Sequence, residues 1–373
     1  MARRIIVCCD GTWNAPDEKE EGQVSPTNVV KIASAIRPVA DDGTTQIIYY
    51  HDGVGIEDKL DCLVQGQPPW ERSLLTGVQK LLYGPAHLVG GAFGLGLSKI
   101  IEDAYRFLIY NFEDGDDLYL LGFSRGAYTV RSLGGLIRNS GLLRKEHADK
   151  FEDAYNFYRD RSDDTDPRSA TAIQFRAQYS RDIAIKFVGV WDTVGSLGIP
   201  NHIVDHFLGN LYNFHDTRLS TKVENAYQAL GIDEKRGDFK PCLWEIQADA
   251  PPTQRVEQVW FPGVHCDVGG GYPEAGLSDC ALQWMINKAV DCGLAVNRSY
   301  VQTSVKPDPS SVLHNSLTGA FAIRPQYVRE IGRGTETAES ISRCAQVRKA
   351  NPALAYSPVN LPVAGVNVTT SCP

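Results

Sequence analysis

The feature of this 373-residue chain that most restricts its fold is a G-x-S-x-G sequence at residues 122–126, directly after a short apolar run. The run has the composition of a buried strand, and a helical pattern opens with small residues after Ser124. A strand, a sharp turn with a serine, and a helix form the structural context of a nucleophile elbow. Gly122 and Gly126 leave room for the backbone to reverse. The sequence therefore predicts that Ser124 stands at the carboxyl end of a strand and begins a helix.

Strand-like and helical patterns alternate along the chain, which is typical of an α/β protein with a parallel sheet. Apolar runs predict strands at 3–9, 46–50, 118–123, 183–191 and 258–261. Helical spacing predicts helices at 27–36, 97–112, 151–158 and 277–291. We expect a single α/β domain over residues 1–373, with a mainly parallel central sheet flanked by helices. Insertions that form a cap over the active-site edge are predicted at 56–96, 140–181 and 196–255.

Composition restricts the partners and the compartment of the protein. The formal net charge of −8 argues against nucleic acid as the main partner and provides no polybasic membrane anchor. The apolar run 5–7 is too short for a signal peptide, so we expect a cytoplasmic protein; export without a cleavable signal stays open. In the segment 81–101, Pro85, Lys99 and several glycines favour a pocket-lining or interfacial segment, in transient contact with a membrane surface, over a transmembrane helix. Nine scattered cysteines without a C-x-x-C pair favour reduced thiols over a disulfide framework.

Asp192 and His265 each follow a predicted strand, so both are expected at the same sheet edge as Ser124. Asp192 ends the strand 183–191, a position where the carboxylate of a catalytic triad can orient a histidine. His265 lies on a loop with three later glycines, which let the backbone pass close to the serine. The order serine, aspartate, histidine is the one that α/β-hydrolases show. Two alternatives remain: one is that Asp192 only accepts turn N–H groups, and the other is that His51 is the base.

The turn after the first strand, at residues 10–14, places backbone N–H groups at the carboxyl edge of the sheet. We predict that the N–H of Gly11 or Thr12, together with that of Arg125, forms an oxyanion hole. The alternative is that Asp10 only closes the turn through its side chain.

Neither a metal nor a cofactor is expected. His202, His206 and His215 invite a metal interpretation, but they do not form an H-E-x-x-H arrangement. The glycines at 91–96 lack both the spacing and the preceding strand of a dinucleotide-binding loop.

Five motifs occur in order: Asp-Gly-Thr-Trp-Asn at 10–14, His-Asp-Gly-Val-Gly at 51–55, Gly-Phe-Ser-Arg-Gly-Ala at 122–127, Trp-Asp-Thr-Val-Gly at 191–195 and His-Cys-Asp-Val-Gly-Gly-Gly-Tyr at 265–272. Together they resemble an α/β-hydrolase family, long labelled a domain of unknown function, that includes phospholipase effectors of bacterial type VI secretion systems. The resemblance spans about residues 3–362 and concerns the catalytic domain of those effectors. It implies the α/β-hydrolase fold, a triad of Ser124, Asp192 and His265, and hydrolysis of lipid esters.

The sequence thus predicts a serine hydrolase that cleaves carboxylic esters, of lipids or of small molecules, through an acyl-enzyme on Ser124. The elbow does not encode the leaving group, so an amide or thioester hydrolase with the same triad is an alternative. A non-catalytic binding module on the same fold is another. No protein partner is indicated.

Overall fold

A central parallel sheet organises the molecule, which is described from a computed structural model over residues 2–11, 19–20, 23–53, 89–160, 162–194, 217–318, 321–322, 326–332, 337–361 and 367–368. In this part of the chain the sheet has eight strands. They are β1 (Arg4–Cys9), β2 (Gln46–His51), β3 (Asp117–Phe123), β4 (Phe187–Trp191), β5 (Asn225–Gly231), β6 (Arg255–Phe261), β7 (Glu339–Ile341) and β8 (Asn367–Val368). The spatial order is β2-β1-β3-β4-β5-β6-β7-β8, and every neighbouring pair is parallel. The predicted α/β fold with a mainly parallel sheet is confirmed.

Helices cover both faces of this sheet. Among the described residues the α-helices are α1 (Asn28–Ala35), α2 (Val89–Asn111), α3 (Ser124–Ser140), α4 (Phe151–Arg159), α5 (Ala170–Tyr179), α6 (His265–Gly269), α7 (Gly276–Asp291), α8 (Arg298–Ser304) and α9 (Arg343–Ala350). Short 3-10 helices lie at Lys145–Lys150, Asp163–Thr165, Gly237–Phe239 and Pro352–Leu354. Two antiparallel ribbons pair Lys19–Glu20 with Gln23–Val24 and Leu142–Leu143 with Ser180–Arg181. Within the described ranges, none of the helices combines the length and the apolar character that a membrane span requires.

Alternate side chains of β1 enter two separate hydrophobic layers, because successive residues of a strand point to opposite faces of the sheet. Ile5 and Val7 pack with α2 and α3 on one face, whereas Ile6 and Cys8 pack with α1 and α7 on the other. All four side chains are fully buried. Burial on both faces turns the strands of a parallel sheet into apolar runs, which is why such runs identify most of these strands from the sequence.

Strand β5 departs from the predicted organisation, since it lies within the segment 196–255 that the sequence assigns to an insertion. All seven of its residues are buried, and it pairs with β4 and β6. Gln228, at its centre, accepts a hydrogen bond from Thr193 Oγ1 at 2.7 Å and donates one to Gln258 Oε1 at 3.1 Å. A buried polar residue that is satisfied by distant side chains resembles a surface residue in the sequence, so the apolar pattern does not predict this strand.

The segment 140–181 packs against the C-terminal half of α3. Asn139 Nδ2 donates to Thr165 O at 2.7 Å, and a Cβ at Gly135 would lie 2.9 Å from the ring of Tyr158. These contacts lie at the end of α3 opposite to Ser124, whereas the sequence prediction places this segment over the active-site edge. Residues 54–88 and 195–216 lie outside the described residues, and they include most of the predicted insertion 56–96 and about a third of the predicted insertion 196–255.

The cysteines do not all match the expectation of reduced thiols. Cys344, in the first turn of α9, is disulfide-bonded. Burial raises the pKa of Cys8 well above its usual value and that of Cys9 to about 12, so these two thiols are inert core residues. The free cysteines of the described part of the chain are Cys8, Cys9, Cys242, Cys266, Cys280 and Cys292.

Candidate active site

The candidate site lies at the carboxyl edge of the sheet, next to the point where the strand order reverses. Strand β1 pairs with β2 on one side and with β3 on the other, and such a switch point leaves a crevice beyond the strand ends. The residues Ser124, Asp192 and His265 follow β3, β4 and β6 at this edge. The topology therefore brings together the three positions that the sequence proposes for a triad.

Ser124 occupies a sharp turn between β3 and α3. Its φ of 56° lies in the left-handed region, which is unusual for a residue with a side chain, and the residue is 6% exposed. A Cβ added at Gly126 would lie 2.0 Å from Cys9 O, and one at Gly122 would lie 2.5 Å from Gly126 O. The turn is thus packed so closely on β1 that only glycine fits on either side of the serine. This is the strained strand-to-helix geometry of a nucleophile elbow.

Asp192 directly follows the last residue of β4 and is completely buried. Its φ of 41° is also left-handed, and its backbone N–H donates to Ala229 O at 2.7 Å. The carboxylate oxygen Oδ1 accepts the N–H of Gly231 at 2.9 Å. Contacts with the neighbouring strand β5 therefore hold the strained backbone and aim the carboxylate.

His265 begins the short helix α6 just after β6 and is 4% exposed. Its Nδ1 lies 2.6 Å from Asp192 Oδ2. The imidazole packs at 4.7 Å on the ring of Phe123, the residue before Ser124, and at 4.9 Å edge-on against Phe239. With Nδ1 bound to the carboxylate, Nε2 is the nitrogen left to exchange a proton. Among the described residues no hydrogen bond joins Ser124 to His265, and such bonds often form only when substrate is bound.

Arg329 completes this group, and no sequence pattern predicts it. Its guanidinium is fully buried and donates through Nη1 to Asp192 Oδ1 at 2.5 Å and through Nη2 to Oδ2 at 2.9 Å. Further bonds run to Gly231 O at 2.7 Å and to Phe239 O at 2.8 Å. The bidentate geometry fixes the plane of the carboxylate. Asp192 and Arg329 lie 137 positions apart, so only the folded chain shows the pair.

Burial and charge oppose one another at this carboxylate. Burial by itself would raise the pKa of Asp192, but the Arg329 charge and the hydrogen bonds from His265 and Arg329 hold it well below its usual value. The pKa of His265 is lowered, chiefly because burial disfavours the imidazolium, although Asp192 acts in the opposite direction. The site therefore combines an ionised aspartate with a neutral imidazole, which is the resting state that a general base requires.

Glu234 fixes the backbone of the histidine loop and is a second residue that the sequence does not indicate. Its Oε2 accepts the N–H of His265 at 3.2 Å, and Ser316 Oγ donates to Oε1 at 2.8 Å. Arg236 donates to both oxygens, through Nε at 2.9 Å and Nη2 at 2.8 Å. Burial would raise the pKa of Glu234, yet the Arg236 bonds and charge lower it to about 2. The carboxylate is therefore ionised and holds the loop at neutral pH.

Asp267 stabilises the same loop from the inside. Its Oδ2 accepts the N–H groups of Val264 at 3.0 Å and His314 at 3.1 Å, and its Oδ1 lies 2.6 Å from His314 Nδ1. Asp267 therefore shapes the loop, whereas the partner of the His265 ring is Asp192.

The predicted oxyanion donors have different surroundings. The N–H of Gly11 donates to Asp10 Oδ1 at 2.7 Å, and Asp10 Oδ2 also accepts from Thr27 Oγ1 at 2.5 Å. Asp10 therefore closes its turn, as the alternative interpretation states, and occupies the Gly11 N–H. Thr12 lies outside the described residues. Arg125 directly follows Ser124 and lies in the first turn of α3.

Of the other histidines considered from the sequence, the structure describes His51, and it does not join this group. His51 ends β2, on the far side of β1 from β3, and its Nδ1 lies 2.5 Å from Asp52 O. His202, His206 and His215 lie outside the described residues. In the part of the chain that the structure describes, no three histidine, cysteine or acidic side chains are grouped so that they could hold a metal ion.

The solved structures to which this chain is similar include a protein from Pseudomonas aeruginosa and a Tle1 effector. An uncharacterized protein from Pseudomonas aeruginosa is similar over 83% of this chain and 49% of its own length, with 19% identity and a TM-score of 0.45. The Tle1 effector bound to the VgrG spike from the Type 6 secretion system is similar over 74% of this chain and 53% of its own, with 14% identity and a TM-score of 0.37. The chain thus spans about half the length of each.

Sequence comparison is more informative. An uncharacterized protein of Saccharomyces cerevisiae, YEL023C, is 32% identical over 245 residues, which make up 64% of this chain and 32% of that protein. The chain therefore spans about a third of the length of this curated relative. Residues 3–288 match the model of the family described as T6SS, phospholipase effector Tle1-like, catalytic domain. The chain therefore belongs to the family of Tle1-like phospholipase effector catalytic domains.

Proposed function

We propose that this protein is a serine hydrolase that cleaves carboxylic esters of lipids through an acyl-enzyme on Ser124. The observation that supports this most directly is the 2.6 Å bond between His265 and Asp192, held beside a serine in the strained elbow conformation. Membership of a phospholipase effector family supports lipid-ester hydrolysis as the class of reaction.

In the proposed mechanism, His265 Nε2 removes the proton of Ser124 as the hydroxyl attacks the ester carbonyl. Asp192 keeps the histidine in the tautomer with the proton on Nδ1 and stabilises the imidazolium that forms. The imidazolium then protonates the departing alkoxide, and a water molecule activated by the same histidine hydrolyses the acyl-enzyme. No step of this sequence requires a further reactant.

The developing oxyanion needs preorganised N–H donors. We assign one to the backbone of Arg125, because it follows the serine in the first turn of α3. Gly11 can serve only after its N–H leaves Asp10, so Thr12 keeps its place as the other predicted donor. Loss of one such donor typically costs about 3 kcal/mol of transition-state stabilisation.

The test compares Ser124→Ala with Ser132→Ala, a buried serine of the same helix. A fluorophosphonate probe should label the wild type and Ser132→Ala but not Ser124→Ala. Hydrolysis of phosphatidylcholine vesicles and of p-nitrophenyl esters should follow the same pattern. Full hydrolysis by folded Ser124→Ala would refute the assignment of the nucleophile.

The same panel separates the alternatives. If acyl thioesters or amides are hydrolysed faster than esters, the protein is a thioester or amide hydrolase that uses the same triad. Absence of labelling and of turnover in folded wild-type protein would indicate a non-catalytic module. The cytoplasmic location and the transient contact with a membrane surface stay predictions from the sequence.

A further inference from the structure

A cavity of about 170 Å³ lies beside the C-terminal two thirds of α3, between the helix, β4 and the segments around Thr165 and Ser220. Tyr128, Arg131, Gly135 and Arg138 line it from the helix, at spacings of three and four residues that form one helical face. Ser124, Asp192 and His265 are not among the residues that line it. At a rise of about 1.5 Å per residue, Arg131 lies roughly 10 Å along the axis from Ser124. The cavity is thus a separate site on the helix that begins with the serine.

Positive charge dominates the wall of this cavity. Three arginines line it, whereas Asp166 is the one acidic residue among the lining residues that the structure describes. Asp166 already accepts hydrogen bonds from the backbone N–H of Arg168 at 2.9 Å and from its Nε at 3.2 Å. This one carboxylate interacts with Arg168 and with the charge of Arg138, so it does not balance the three arginines of the wall, and the cavity favours an anion. The three arginines are Arg131, Arg138 and Arg218.

Arg131 is the centre of this site, because its described partners are all neutral. Its Nη1 donates to Gln228 Oε1 at 3.2 Å and to Cys242 O at 2.5 Å, and its guanidinium lies 4.7 Å from the ring of Trp244. Its Nη2 is buried and has no hydrogen-bond partner among the described residues. Partial burial of a guanidinium without a carboxylate partner costs desolvation free energy, and an anion bound in the adjoining cavity would offset that cost.

We propose that this cavity binds a phosphoryl group of a small molecule or of a lipid headgroup. A dianionic phosphate matches several guanidinium groups better than a carboxylate does, because each arginine presents paired N–H donors to its oxygens. The hydroxyl of Ser220 on the same wall accepts the N–H of Lys222 at 3.2 Å and can donate its own proton to a ligand. The proposal does not depend on the reaction at Ser124, since no residue is shared between the two sites.

Calorimetric titration of the full chain with glycerol 3-phosphate, at low ionic strength, tests the proposal. We expect saturable binding by the wild type, equal binding by Ser124→Ala, and about tenfold or weaker binding by Arg131→Gln, which loses charge-assisted bonds. Arg343→Gln, which removes an exposed arginine at the start of α9, should bind as the wild type does. Thermal unfolding establishes that each variant is folded. If Arg131→Gln does not fold, Arg138→Gln on the same wall replaces it in the test, and we expect it to weaken binding of glycerol 3-phosphate several-fold.

A second arm identifies the source of the phosphoryl group. Co-sedimentation with phosphatidylcholine vesicles that contain phosphatidic acid measures headgroup binding. If the wild type binds the vesicles but not glycerol 3-phosphate, and Arg131→Gln loses vesicle binding, the ligand is a lipid headgroup. If the wild type binds glycerol 3-phosphate but not the vesicles, and Arg131→Gln loses that binding, the ligand is a soluble phosphate ester. Absence of both interactions in the wild type, or binding that neither arginine substitution weakens, would overturn the proposal. Because Ser124→Ala reports on catalysis and not on this cavity, failure of the proposed hydrolase activity is a separate result.

Discussion

Arg329→Met tests whether the buried guanidinium controls the protonation of the His265–Asp192 pair. The substitution keeps a long side chain but removes the two bonds, of 2.5 and 2.9 Å, to the oxygens of Asp192. Both side chains are fully buried, and loss of one partner from a buried ion pair costs roughly 3–5 kcal/mol of the free energy of unfolding. Urea denaturation should show this loss, and Arg329→Lys should show a smaller one because it keeps the charge.

The same substitution should raise the pKa of His265. Arg329 Nη2 and His265 Nδ1 bond to the same oxygen of Asp192, at 2.9 and 2.6 Å. Two positive charges within about 5.5 Å repel by about 3 kcal/mol at an effective dielectric constant of about 20, and this repulsion favours the neutral imidazole. In the wild type, burial and the charge of Arg236 already lower this pKa, and we expect the Arg329 charge to act in the same direction. Its removal leaves Asp192 free to stabilise the imidazolium.

Histidine-selective NMR measures this pKa without reference to any activity. His265→Gln identifies the resonance among the eight histidines of the chain. Asp192→Asn should shift the pKa in the opposite direction, because it removes the carboxylate that favours the imidazolium. With an ester substrate, the acidic limb of kcat/KM should move to higher pH in Arg329→Met, since only the neutral imidazole acts as a base.

An unchanged His265 pKa in folded Arg329→Met would refute this reasoning, because the guanidinium would then exert no electrostatic effect on the pair. Arg343→Gln serves as the matched control: it removes one arginine charge at an exposed position and should leave the pKa unchanged. If Arg329→Met does not fold, the smaller change in Arg329→Lys keeps the measurement possible.

Three further predictions concern the elbow and the histidine loop. In urea denaturation, Gly126→Ala should destabilise the fold by more than about 2 kcal/mol, because its Cβ would lie 2.0 Å from Cys9 O. Gly134→Ala, whose Cβ would lie 3.5 Å from its nearest neighbour, should stabilise the fold by about 1 kcal/mol. Ser124→Gly should be about 1 kcal/mol more stable than Ser124→Ala, since glycine adopts a φ of 56° without strain; equal melting temperatures would contradict this. The Glu234 pKa of about 2 is below the usual 4.5, so its stabilisation is complete above pH 4.5 and is lost as the pH falls toward 2. The stability difference between wild type and Glu234→Gln should therefore shrink by about 2 kcal/mol from pH 7 to pH 3, and a constant difference would count against this role.

Local sequence was sufficient for the elbow. Gly122 and Gly126 flank the serine within five residues. A Cβ at Gly122 would collide with Gly126 O of the same turn, and a Cβ at Gly126 would collide with Cys9 O of the adjacent strand β1. The strands β1, β3 and β6 were equally predictable, because burial on both faces makes them apolar. Strand β5 was not, because Gln228 is satisfied by side chains from other elements.

The order of Ser124, Asp192 and His265 along the chain, each after an apolar run, was enough to place them at one edge of a parallel sheet. Strand direction and side-chain alternation follow from backbone geometry, which adjacent residues specify. The electrostatic state of the site depends on charges from distant parts of the chain, such as Arg329 at Asp192 and Arg236 at Glu234. The hydrogen bond from the Gly11 N–H to Asp10 Oδ1 likewise depends on how the two groups are oriented in the folded chain. Coulomb and hydrogen-bond energies depend on distance in the folded molecule and not on separation in the sequence, so folding alone establishes which groups are charged, held or available.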